Sequence, residues 1–158
     1  MNEDSPAFRE ARTKIFHFCS YRERTVGEVI EKLQKFRLGN PLIEKVVREL
    51  QEEGFLDETR YAQAFSNDKF KFNKWGRLKI RRALKQKGIS EDFIERGLDS
   101  ISTEEYDSIL NNLLNKKWSS ISSDDGNTAI KKNKVANFLI GKGFEPDLVW
   151  AKVREKTE

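Results

Sequence analysis

The chain repeats itself three times, and that repetition limits the fold more than any single motif in its 158 residues. With Leu33, Leu84 and Leu139 set in register, the apolar positions keep step. Four residues earlier stand Val29, Ile80 and Val135, and five later Leu38, Ile89 and Phe144. Nine and ten later come Leu42-Ile43, Phe93-Ile94 and Leu148-Val149; fourteen later, Val47, Leu98 and Val153. The second and third copies share literal residues, LKQKGISEDFI at 84–94 against LIGKGFEPDLV at 139–149. Leu33 to Leu84 is 51 residues and Leu84 to Leu139 is 55.

Apolar residues four apart lie on one helical face, and a glycine just past them ends the helix by accepting a left-handed conformation. Gly88 and Gly143 are placed for that role, with Gly39 one residue later in the first copy. Ser90 and Pro146 then open the following helices, with Asp92 in a first turn. Each copy is preceded by a further apolar helix, at about 8–20, 59–72 and 103–118 by the same periodicity. Asp57 or Thr59 caps the second of these, and Ser102 or Thr103 the third. The unit is three helices, divided as residues 1–56, 57–101 and 102–158, with a Ser/Asp/Gly-rich loop insertion near 119–128. A unit of about 50 residues buries only a marginal core, and stacking copies adds buried area. The expected fold is all-α, three tandem three-helix repeats in an elongated or curved array.

Charge is distributed unevenly over these repeats. Residues 1–56 hold ten Lys/Arg and ten Asp/Glu, and residues 102–158 nine of each. Residues 57–101 hold eleven against seven, so the whole formal charge of +4 sits in the second repeat. Within it, residues 69–90 contain nine bases and no acid, a concentration that attracts polyanions. With 74–87 read as a helix, Gly76, Ile80, Ala83 and Leu84 form the buried side. Lys74, Arg77, Arg81 and Lys85 fall in a stripe about 80° wide, which Lys79 and Arg82 extend. Lys69 and Lys71 precede it, and Lys87 follows. Such a line suits a row of phosphates or of partner carboxylates, and arginine offers its fork to either. On the preceding helix Tyr61, Phe65 and Phe72 share a core face, whereas Phe70 points the other way as a candidate surface contact. Trp75, at the corner between the two helices, is the second aromatic candidate.

Other chemistries lack their residues. His17 and Cys19 are the only residues of their types, too few for a structural zinc site and turned apart on a helix, so no metal, cofactor or catalytic residue is expected. Gly141-Lys142-Gly143 lacks the spacing of a phosphate loop and reads as a helix end. Glu52-Glu53 and Asp124-Asp125 are adjacent, solvated acids. The N-terminal MNEDSPAFRE has no apolar core of a secretory signal, no stretch is long and apolar enough to span a bilayer, and a lone cysteine suits a reducing cytoplasm. A soluble cytoplasmic protein is the expectation.

The blocks Phe55-Leu56-Asp57-Glu58-x-Arg60-Tyr61-Ala62, Trp75-Gly76-Arg77-x-x-Ile80 and Leu84-x-x-Lys87-Gly88-Ile89 resemble the signature of RecX, the bacterial regulator of the RecA recombinase. Upstream, Arg24-Thr25-x-x-Glu28-Val29-x-x-Lys32-Leu33 is similar to a RecX element in which Ser and Leu stand for Thr25 and Val29. Downstream, Lys116-Lys117 and Phe138-Leu139-x-x-x-Gly143-Phe144 resemble its third repeat, with Gly141-Lys142 where a pair of arginines is frequent. The resemblance implies tandem three-helix repeats, no enzymatic activity and no cofactor. It also implies a monomer that binds the RecA–DNA filament and suppresses its ATPase, strand exchange and growth, within DNA repair, recombination and the SOS response. Two other readings stand beside it: direct binding of nucleic acid by the basic repeat, and a helical scaffold for another acidic protein. Under the first reading, Lys74, Arg77, Arg81, Arg82 and Lys85 hold the partner, and reversing Arg77 and Arg81 to Glu abolishes inhibition with helical content intact.

Overall fold

The computed structural model describes residues 2–122 and 127–156, so part of the 119–128 loop lies outside the described residues. Nine helices and no strand occur among them. The first group is α1 (Pro6–Tyr21), α2 (Val26–Lys35) and α3 (Asn40–Glu52). The second is α4 (Glu58–Asn73), α5 (Arg77–Gln86) and α6 (Glu91–Asp99); the third is α7 (Thr103–Ser120), α8 (Thr128–Gly141) and α9 (Pro146–Val153).

Most helix starts follow from local chemistry. The hydroxyls of Ser5, Thr25 and Ser102 accept from backbone N–H groups three residues on, and the Asp57 carboxylate accepts from Thr59 and Arg60. Thr25 and Glu28 form a reciprocal capping box, which the threonine hydroxyl closes as serine would. Ser90 stands at the N-cap of α6 without a side-chain bond. Gly88 and Gly143 end their helices at φ 82° and 98°, as their positions require. In the first repeat that conformation falls to Arg37 (φ 64°), because α2 ends at Lys35, and Gly39 instead caps α3 at φ −73°.

Most of the repeated apolar positions are the core, whereas Leu42 and Phe93 are half-buried and Leu148 is exposed. Val29, Leu33, Ile80, Leu84, Val135 and Leu139 are all fully buried, as are Ile94, Val149 and Val153. The first repeat departs at one place, where Val46 rather than Val47 is the buried residue of α3. Two cores result: one belongs to α1–α3, and the second runs through α4–α9. The core is therefore divided along the chain and not gathered around one centre. The tightest helix crossing lies between α4 and α6, where a Cβ on Gly97 would stand 2.7 Å from the Ala62 carbonyl oxygen.

Neighbouring repeats meet at the start of α2 and of α5. Helix α5 has no side-chain cap of its own. Its first N–H groups are satisfied by the third repeat: Arg77 N donates to the Tyr106 hydroxyl (3.0 Å) and Leu78 N to the Gly143 carbonyl (3.0 Å). The Gly76 amide adds a bond to the Lys142 carbonyl at 2.8 Å. Val26, 51 residues before Arg77, has the matching arrangement, its N–H donating to the Glu58 carboxylate of the second repeat at 3.3 Å. Helix ends with unpaired N–H groups need such partners, and here the next repeat supplies them. No helix among the described residues is long and apolar enough to cross a membrane.

Candidate basic interface

The basic segment folds as the end of α4, a corner and α5. Asp57 starts α4, and Lys74 ends it in the left-handed conformation (φ 57°). Helix α5 therefore begins at Arg77, not at 74, and Lys74 stands off its axis. This splits the expected stripe of Lys74, Arg77, Arg81 and Lys85.

Arg77 turns inward. Its guanidinium lies 3.7 Å from the centre of the Tyr106 ring and holds Glu145 at 2.8 Å, while the Tyr106 hydroxyl donates to the same carboxylate. Burial, then the bond to Glu145, raises the pKa of the Tyr106 phenol well above its ordinary value. Arg81 pairs with both Glu91 and Glu95 of α6. The sequence placed both arginines on an open binding stripe; the structure neutralises them with carboxylates of its own.

Seven other bases have no carboxylate partner among the described residues: Lys69, Lys71, Lys74, Lys79, Arg82, Lys85 and Lys87. Arg82 and Lys85 share the exposed side of α5, with Leu78 (39% exposed) beside them. Half-buried Trp75 lies at the corner, with the Lys69 and Lys79 ammonium groups 5.0 and 4.7 Å from its ring. Phe65 holds Lys69 and Lys87 at 5.5 and 5.6 Å. The result is a surface of lysines resting on aromatic faces, which keeps the charges exposed while burying their stems.

Two of the three phenylalanines of α4 exchange roles. Phe70, the expected surface contact, is 1% exposed and stacked on Tyr106 at 5.5 Å, so it is core. Phe72, expected in the core, is 80% exposed. The reason is that α4's buried line runs Tyr61, Ala62, Ser66, Phe70, meeting Gly97 of α6 at Ala62 and Tyr106 of α7 at Phe70. Tyr106, Gly143 and Glu145 organise the joint beneath the basic surface, and the sequence does not mark them as site residues. The one signal for them was a glycine at equivalent places in the turns, and it reads equally as a helix end.

Elsewhere, burial pushes the Cys19 thiol up to about 11, which removes its nucleophilic form at neutral pH. No group of three or more His, Cys, Asp or Glu among the described residues can hold a metal ion.

Comparison with known proteins bears on the same repeats. Residues 57–98 match the family model for the second three-helix domain of RecX, and residues 104–153 match that for the third. The chain is similar to the regulatory protein RecX of Clostridium botulinum (strain Eklund 17B), 36% identical over 132 residues, covering 84% of this chain and 61% of that one. It is 26% identical over 147 residues to the regulatory protein RecX of Clostridium acetobutylicum, covering 92% and 66%. The chain thus spans about half to two thirds of the length of such curated relatives. The crystal structure of RecX from Lactobacillus salivarius superposes with a TM-score of 0.81 at 22% identity, over 94% of this chain and 96% of that one, which establishes the shared fold.

Proposed function

The chain belongs to the RecX family, and from that premise we propose that it regulates a RecA recombinase as a binding protein and not as an enzyme. In this reading it binds the RecA–DNA filament and lowers its ATP hydrolysis, strand exchange and growth. The observation that carries the reading is the set of seven cations between residues 69 and 87 without a carboxylate partner among the described residues. Cations left unpaired by their own protein remain available to acidic side chains or phosphates, and a filament groove offers both. Of the contact residues proposed from the sequence, Lys69, Lys71, Lys74, Lys79, Arg82 and Lys85 keep that role, with Trp75 as an aromatic floor. Arg77 and Arg81 support the surface from beneath and from its flank. An array bridging adjacent subunits would restrict the small rotations that each hydrolysis cycle needs.

The test is the DNA-dependent ATPase of RecA from the same organism, titrated with this protein at near-physiological salt. Inhibition well below one copy per RecA is expected, and its loss in the Arg82→Glu, Lys85→Glu double variant. Full inhibition by that variant, or none by the parent, overturns the proposal. The lysine-on-aromatic surface at Trp75 also favours direct contact with nucleic acid. In that case affinity for bare duplex falls with salt at a log–log slope of about −0.9 per phosphate neutralised.

A further inference from the structure

A cleft of about 510 Å³ opens on the first repeat, walled by Phe18, Tyr21, Arg24 and Lys32 with His17 at its side. Its volume suits a side chain or two, or a small ligand. Arg24 sets it apart. The residue is 7% exposed, its Nε donates to the Phe18 carbonyl at 2.9 Å, and its guanidinium lies 3.7 Å from the Phe18 ring centre. Neither terminal nitrogen has a hydrogen-bond or ion-pair partner among the described residues; the nearby Glu28 carboxylate is engaged by Thr25 and Arg22. Its terminal nitrogens are not among the buried atoms left without a partner, so the fork opens on the cleft while the rest of the side chain is buried, and it points to an anion that enters from outside. Lys32, 5.3 Å from the same ring, adds positive charge without a carboxylate of its own, whereas Lys14 at the rim is paired with Glu10.

The repeat frame indicates that this face is built for contact. At an offset of 51 residues the Arg24–Phe18 pair becomes Trp75–Lys69, and Lys14–Phe36 becomes Phe65–Lys87. Cation and aromatic exchange places while the stacking is kept. Tyr21 corresponds to Phe72, and the two are 79% and 80% exposed. The middle helices differ, with Glu28 and Glu31 of α2 standing where α5 has Lys79 and Arg82. These two acids adjoin the cleft across Phe18 and Lys32. They oppose a chain of phosphates and leave room for a single carboxylate.

We propose that the first-repeat cleft docks an acidic segment of a protein partner, one carboxylate entering the Arg24 fork and an adjacent apolar side chain packing between Phe18 and Tyr21. The proposal does not rest on the recombinase reading. The bidentate fit of guanidinium to carboxylate gives the specificity, and the aromatic walls give the affinity.

The test is titration of the whole isotope-labelled chain with the capped peptide Glu-Asp-Phe-Asp-Glu, its neutral counterpart Gln-Asn-Phe-Asn-Gln, and a short oligothymidylate, followed by amide NMR shifts. Saturable shifts confined to the Thr13–Arg24 and Lys32 region are expected for the acidic peptide, with affinity about tenfold or more above the neutral one. Tyr21→Ala, at an exposed position that leaves the fold intact, weakens the acidic peptide, and Arg24→Gln abolishes its advantage over the neutral one. Should Arg24→Gln lose the fold, the peptide pair and Tyr21→Ala decide. Equal affinity of the two peptides, no saturable shift, or no effect of Tyr21→Ala overturns the proposal. The same shifts at lower concentrations of oligothymidylate also overturn it, and reassign the cleft to nucleic acid.

Discussion

The Arg77 guanidinium holds the Glu145 carboxylate at 2.8 Å across the boundary between the second and third repeats. A residue that the charge pattern assigns to an outer binding stripe is thereby part of the joint that shares one core between α4–α6 and α7–α9. Breaking a half-buried charge pair leaves its partner uncompensated and costs about 1.5–3 kcal/mol for the charged hydrogen bonds involved. Arg77→Glu is expected to lower the midpoint of urea unfolding measurably, whereas Arg82→Glu and Lys85→Glu change the unfolding free energy by less than about 0.5 kcal/mol. Comparable stability of Arg77→Glu and the parent would remove the joint from the account.

Backbone approach at that joint leaves no space for a side chain. A Cβ on Gly76 would collide with the Gly143 carbonyl group and Phe144 amide, and one on Gly143 with Lys79, at a left-handed φ besides. Gly76→Ala and Gly143→Ala should each cost about 1–3 kcal/mol or more by overpacking, read from chemical denaturation. Gly141→Ala is the control, since its Cβ meets nothing within 4 Å and lies in a helix; it is neutral or stabilising by up to about 1 kcal/mol.

Phe70 and Phe72 of α4 give a sharp contrast. Phe70→Ala empties a site stacked on Tyr106 and is expected to cost about 3–5 kcal/mol. Phe72→Ala, two residues on and exposed, changes stability by less than about 0.5 kcal/mol. Equal losses in thermal denaturation would contradict the face assignment.

Arg37 occupies the left-handed position that Gly88 and Gly143 fill in the other repeats. Arg37→Gly relieves that strain and is expected to stabilise by up to about 1 kcal/mol after glycine's larger unfolded-state entropy is subtracted. A destabilised variant in the same denaturation series would argue against strain at this turn.

Alkali should weaken the fold in two stages. Burial raises the Cys19 thiol from 9.0 to about 11, with nearby Arg24 opposing, so folding favours its neutral form. The stability this provides is complete below pH 9 and is lost as the pH rises through about 11. Tyr106, raised by burial and by Glu145, extends the loss to higher pH. Urea midpoints measured across the alkaline range should fall, and Cys19→Ala should flatten the first part of the fall. An unchanged profile in that variant would assign the loss to other groups.

The repeat register, the caps at Asp57 and Ser102 and the left-handed glycines at 88 and 143 were legible in the sequence because each depends on residues within about one helical turn. The RecX resemblance was legible for the same reason, since its blocks are short and contiguous. Three assignments depended on distant partners and could not be read. Arg77 meets a residue 68 positions away, and Arg81 meets Glu91 and Glu95 on the next helix. Phe70 is buried by stacking on Tyr106, 36 positions away on α7.

The sequence by itself determined that this chain makes three three-helix units and concentrates its excess positive charge on the second, because periodicity and composition are local properties. Only the tertiary structure decided which of those charges remain available. A salt bridge and a helix cap need atoms within a few ångströms, and at the α5 start those atoms come from Tyr106, Gly143 and Glu145 of the following repeat.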